Sequence, residues 1–248
     1  MKNRSWFHIV ILLLATALVG CNTSSSMTSV VASESLSDLE ANASPESLAA
    51  LSFIDTFPLA VGSTWVYNVT VHDYSIEAEG TITESGLVTE KITQVGQQGE
   101  GWIFQAEMEG LLLSQWLGAR HQSYILIDKR LYNWLKVEGD WRELISSQGK
   151  GYESKQMLTW PLEVGQEWGD PEKVAAGEKR HTWFVSQQAD IETPAGTYPN
   201  CYIINFKTNP SHQTLWFCPN IGIVRKEFSH DGALHNEIWE LERFSDGR

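Results

Sequence analysis

The stretch from Ile191 to Phe228 constrains the fold most. It holds two β-prone runs, residues 198–206 and 213–218, on either side of the turn-forming cluster Thr208-Asn209-Pro210-Ser211. Runs rich in Val, Ile, Tyr, Phe, Trp and Thr around such a cluster form an antiparallel hairpin. With the turn centred between Asn209 and Pro210, Cys201 falls directly opposite Cys218. What two facing cysteines do depends on the compartment, and the N-terminus addresses that.

Lys2 and Arg4 precede an uninterrupted apolar run from Ile9 to Leu18. A charged n-region before a short apolar h-region is a secretory signal, too short for a membrane span. The run closes in Leu18-Val19-Gly20-Cys21, which resembles the lipobox of bacterial lipoproteins. The resemblance implies cleavage before Cys21, diacylation of Cys21 and usually N-acylation; the other reading is an ordinary signal peptide with a chance cysteine. A single acyl chain binds a membrane only marginally, at about 0.8 kcal/mol per buried CH₂, whereas two or three chains anchor it durably. Asn22 rather than Asp follows Cys21. By resemblance to lipoprotein sorting this implies the outer membrane where the organism has one, and otherwise the outer face of the cell membrane.

With Cys21 committed to lipid, Cys201 and Cys218 are the two cysteines left in an exported domain, and an even count there points to a disulfide. Directly opposed strand positions bring Cα atoms to roughly 4.5 Å, within disulfide reach. The alternative is two buried free thiols filling core space. Removal of Lys2 and Arg4 from the 18 Lys and Arg leaves 16 against 31 Asp and Glu, a formal net charge of −15. Nucleic acids and anionic headgroups select basic patches, so neither is an expected partner. Ten of the 11 tryptophans lie beyond the signal, enough aromatic area for a substantial core.

Three segments follow from this: a signal peptide over 1–20, a lipidated cysteine with a Ser-rich tether over 21–52, and a β-rich domain over 53–248. Residues 44–51 have the pattern of a turn or two of helix capped by Ser44. The domain contains one phrase twice. Phe57-Pro58-Leu59-Ala60-Val61-Gly62-Ser63-Thr64-Trp65 matches Trp160-Pro161-Leu162-Glu163-Val164-Gly165-Gln166-Glu167-Trp168. In each, Pro sets an extended entry, Gly permits a tight turn and Trp opens the next strand. The phrase reads either as two similar halves, 53–155 and 156–248, or as one strand-entry device used twice.

Between the copies, strands are expected at 65–71, 80–84, 87–95, 102–108, 122–127, 131–137 and 141–145, with a polar loop at 149–156. After the second copy come a charged loop at 170–179, a strand at 181–187, a Pro-Gly corner at 194–198, the cysteine hairpin, and strands at 223–228 and 234–244 around Asp231-Gly232. Such regular spacing without 3.6-residue periodicity predicts an all-β domain: an antiparallel curved sheet, half-barrel or meander with little helix. Pro194-Ala195-Gly196-Thr197-Tyr198, followed by Trp216-Phe217-Cys218-Pro219-Asn220-Ile221-Gly222-Ile223-Val224, resembles a phrase of uncharacterised exported bacterial proteins and lipoproteins. Those carry PAGTF and PGVGIV at these places. Asn220 stands where Gly is common, a position Asn's tolerance of positive φ accommodates. The resemblance implies a curved sheet similar to the half-barrels of lipoprotein carriers, an analogy of fold that brings no function.

Chemistry is sparsely signalled. His72, His121, His181, His212, His230 and His235 show no metal-ligand spacing, and no nucleophile, phosphate or dinucleotide motif is present. His230 and His235 straddle a turn. Glu237 faces opposite to Glu240 and Glu242 on one strand, as on a solvated edge. No catalytic residue, metal or cofactor is assigned. Trp134 shares a strand face with Tyr132, and Trp239 with Leu241, which reads as core.

The expected function is a lipid-anchored cell-envelope protein, not an enzyme, that binds an apolar ligand or a protein partner through residues the sequence does not identify. A carbohydrate-binding or structural envelope-assembly module is the other reading. A flat exposed row of Trp134, Trp141 and Trp183 favours sugar; an enclosed apolar groove favours lipid.

Overall fold

In a computed structural model, residues 53, 56–75, 80–98, 101–113, 121–134, 156–230, 232 and 235–248 are described. The signal segment, Cys21, the whole tether with its expected turn of helix at 44–51, the expected strand at 141–145, the end of that at 131–137 and Asp231 lie outside them.

Twelve strands run in chain order: β1 Thr64–Ser75, β2 Gly80–Gln98, β3 Gly101–Glu109, β4 His121–Ile127, β5 Arg130–Trp134 and β6 Gln156–Thr159, then β7 Glu167–Gly169, β8 Thr182–Thr193, β9 Gly196–Lys207, β10 Ser211–Cys218, β11 Gly222–His230 and β12 His235–Ser245. They form one antiparallel sheet in the order β6-β5-β4-β3-β2-β1-β12-β11-β10-β9-β8-β7. Apart from β6 and β7, each strand lies beside its neighbours in sequence, and β1 pairs with β12 over Thr64↔Ser245 to His72↔Asn236. The sheet therefore curls into a nearly closed barrel. Its two edges, β6 and β7, are consecutive in the chain, so the opening falls where the second copy of the repeated phrase sits.

Period-two alternation fills the inside. Trp65, Tyr67, Val69 and Val71 of β1 are buried, as are Phe104, Ala106 and Met108 of β3 and Trp239 and Leu241 of β12. The entry segment joins them: the Phe57 ring lies edge-on to Trp65 and Tyr124 at 5.8 Å and to Phe217 at 5.6 Å. These partners belong to β1, β4 and β10, so one aromatic ties distant staves of the barrel together. Burying such a ring is worth about 1.5–3 kcal/mol. Ile125 and Tyr132 make a smaller buried cluster of their own.

From the Leu onward the two copies of the phrase fold alike, while the Trp160–Pro161 bond is cis and the Phe57–Pro58 bond is not. Leu59 and Leu162 are buried at 1% and 3%, while Val61 and Val164 are exposed. Gly62 and Gly165 have φ of 95° and 88°. Gly62 N donates to Ile92 O and Gly165 N to Val185 O, each 2.9 Å; Ile92 N and Val185 N return bonds to Ser63 O and Gln166 O. One copy leads into β1, the other into β7.

Four expectations change in detail. The strands read at 80–84 and 87–95 are one, because Gly86 stays in register opposite Val69 and packs under Leu112. The charged loop contains a short helix, α1 (Pro171–Ala175), with Asp170 Oδ1 accepting from Glu172 N and Lys173 N. The Pro-Gly corner is the turn of the β8–β9 hairpin, so β9 begins at Gly196. The C-terminal strand is interior, because closure on β1 leaves it no free edge.

Candidate functional site: a polar cavity inside the barrel

Glu90 is a carboxylate at a core position. On β2 it shares the inward face with Val88 and Ile92 and is 2% exposed. Its Oε1 accepts from Tyr124 Oη at 2.5 Å and from Gln122 Nε2 at 3.4 Å, both on β4. A buried carboxylate needs such donors, because desolvation without them costs several kcal/mol. Tyr67, on the neighbouring stave, sends its own hydroxyl to Ile223 O at 2.9 Å.

Across the interior stands Lys226 of β11, flanked at i±2 by Val224 and Phe228. It is half-buried by area, yet its Nζ lies 3.5 Å from the Trp239 ring centroid and 5.4 Å from that of Tyr67. Aromatic faces attract a cation but replace its hydration only in part. Burial therefore pushes the Lys226 ammonium below its ordinary pKa, while the charges of Glu90 and Glu237 pull it back up. Tyr67 and Tyr124 are held well above the usual tyrosine range, by burial first and then by Glu90's charge.

Between these groups lies a cavity of about 50 Å³. Glu90, Gln122, Asn133, Gln213 and Lys226 give it polar walls; Phe57, Trp65, Met157, Leu215 and Ile223 supply apolar ones. That volume holds a few water molecules and no acyl chain. Aromatic walls with a few convergent polar groups are the usual composition of a small-molecule site, although such sites usually have roughly 300–1,000 Å³.

The residues singled out from sequence lie elsewhere. Cys201 and Cys218 form a disulfide, Cα–Cα 4.2 Å, within the cysteine hairpin. Cys21 and Trp141 are outside the described residues. Trp183 is 3% exposed, stacked on Trp168 and tilted against Phe206, so it offers no open face to a sugar. Trp239 and Leu241 are buried in the main core, as strand periodicity implied, while Tyr132 is buried in the separate cluster with Ile125.

His230 and His235 pair across β11 and β12. His235 also bonds Glu237 Oε1 at 2.9 Å and stands 3.6 Å from Asp73. Glu237 takes the Trp239 indole N–H at 3.1 Å, and Glu240 bridges to Arg225 at 3.2 Å. These carboxylates are engaged in pairs on an interior strand, which replaces the expected solvated edge. Sequence reasoning missed the Glu90–Lys226 cavity. Its signal was present at Glu90, between buried Val88 and Ile92, and half-present at Lys226, where Val224 is buried but Phe228 is only half-buried.

No protein-family profile and no curated protein matches the chain. Among solved structures, a protein assigned as exported with a YmcC-like fold from Bacteroides fragilis is 15% identical over 75% of this chain and 96% of its own, with a TM-score of 0.39. One assigned as a lipoprotein from Parabacteroides distasonis is 14% identical over the same shares, TM-score 0.36. MucB is 10% identical over 81% of this chain and 57% of its own, TM-score 0.28. At such scores these likenesses carry no argument about function.

Proposed function

We propose that this chain is a lipid-anchored cell-envelope protein that acts by binding, without chemistry of its own, and that its ligand is amphiphilic. The observation that carries the reading is the mixed lining of the interior cavity, where Glu90, Lys226 and the amides of Gln122, Asn133 and Gln213 face aromatic and aliphatic side chains. An apolar ligand with a polar end suits it. Donor and acceptor groups of the head meet Glu90, Gln122 and Lys226, while the tail follows Phe57, Met157 and Ile223. Since the cavity is only about 50 Å³, the tail enters as the barrel loosens. Anchorage rests on the lipobox resemblance at Cys21, and the outer membrane on Asn22.

Native mass spectrometry of the full chain, extracted from its own envelope in mild detergent, tests this. The expected spectrum carries an added small-molecule mass, lost on denaturation and lost in Lys226→Met. A folded protein with a bare mass overturns the ligand and leaves a protein partner on the outer surface as the mode of action.

A further inference from the structure

We propose that the barrel opens sideways between β6 and β7, with Trp168 as the latch, and that this opening is the way into the Glu90–Lys226 cavity. Eleven junctions in the sheet are backbone ladders. Among the described residues, the twelfth is bridged by a side chain: Trp168 Nε1 donates to Gln156 O at 3.3 Å. Among the described residues, the strands that meet there are the shortest in the sheet, four and three residues long. The β5–β6 ladder behind is also broken by a register shift between Leu131 and Tyr132. Local opening follows the path of fewest broken hydrogen bonds and contacts, and this junction offers it.

Two further observations point the same way. Met157 of β6 lines the cavity while 5% exposed, so parting β6 from β7 uncovers the cavity itself. Trp183, paired with Trp168 in the β7–β8 ladder, has the one buried side-chain polar atom among the described residues without a hydrogen-bond partner, its Nε1. A buried donor without an acceptor burdens the closed arrangement, and opening lets water relieve it. The Trp160–Gln166 connection stays tied to the body by the Gly165–Val185 bond and by Trp160 N donating to Lys129 O, so the edges return to the same place on closing.

The use of the opening rests on the binding reading above; the opening itself is tested without any ligand. Methionine oxidises where its sulfur meets the reagent, so dilute hydrogen peroxide on the full chain reports exposure site by site. Met108, 7% exposed in β3 and laddered to Glu90 of β2, is the internal control. Met157 is expected to oxidise about tenfold faster than Met108, as local opening outpaces global unfolding. Trp168→Phe removes the indole N–H together with part of the ring packed on Trp183, and should raise the Met157 rate by about two- to tenfold, leaving Met108 unchanged. Equal rates at the two methionines, or a variant in which both rise together, overturn the gate. Should Trp168→Phe fail to fold, amide exchange in the unaltered chain decides. Faster exchange across Gln156–Thr159 and Glu167–Gly169 than across the β1–β12 ladder supports opening, and uniform protection overturns it.

Discussion

The ring edge of Phe57 occupies the space where a β-carbon on Gly222 would stand. The entry segment reaches that place because Asn220 N holds Thr56 O at 2.7 Å, bringing residues before β1 against the β10–β11 turn. Gly222→Ala should therefore cost about 2–4 kcal/mol, combining overpacking with backbone strain. Urea unfolding measures it. Phe57→Leu in the same chain should recover part of the loss, a coupling that a double-mutant cycle detects. Strictly additive costs would mean that the two residues do not meet.

The Cys201–Cys218 bond closes a loop of sequence separation 17. In the chain-entropy model such a crosslink stabilises by about 3 kcal/mol. Cys201→Ala with Cys218→Ala should lose about that amount, and reductant should then have no further effect on the unfolding midpoint. A reductant-insensitive midpoint in the unaltered chain would show the thiols to be free.

Gly62 and Gly165 occupy equivalent turns with matching bonds and positive φ. A β-carbon on Gly165 meets nothing within 4 Å, and one on Gly62 meets only ordinary contact with Gly247 at 3.4 Å. Each Gly→Ala change should then report backbone strain alone, about 1–2 kcal/mol. The two costs should agree and add. A neutral Gly165→Ala would break the equivalence of the copies.

The strand plan was legible because its signals are local: apolar runs, turn clusters and the facing cysteines each sit within a few dozen residues. The helix at Pro171–Ala175 was also written locally, in Asp170 before Pro171 at the N-cap and N1 positions, but charge obscured it. Closure of β1 on β12 could not be read, since it joins residues nearly the whole domain apart. The cavity depends on that closure. Glu90 and Lys226 come to line one cavity only once the two halves of the sheet curl together, although the buried Val88 and Ile92 around Glu90 mark it as inward.

Stability at alkaline pH separates the two kinds of buried group in this interior. Lys226 has a depressed pKa when folded, so between that value and the unfolded one, about 10.4, the unfolded chain binds more protons. Its contribution to stability rises with pH across that window. Tyr67 and Tyr124 behave oppositely: their folded values are raised, the unfolded chain loses protons first, and their contribution falls as pH climbs past about 10. Urea unfolding from pH 8 to 11 should therefore show a rise followed by a fall. Lys226→Met should remove the rising limb while keeping its stem packed on Trp239, and Tyr67→Phe should shallow the falling one. An unchanged rise in Lys226→Met would mean that the ammonium is solvated when folded, and would take from the cavity the charge on which its proposed ligand depends.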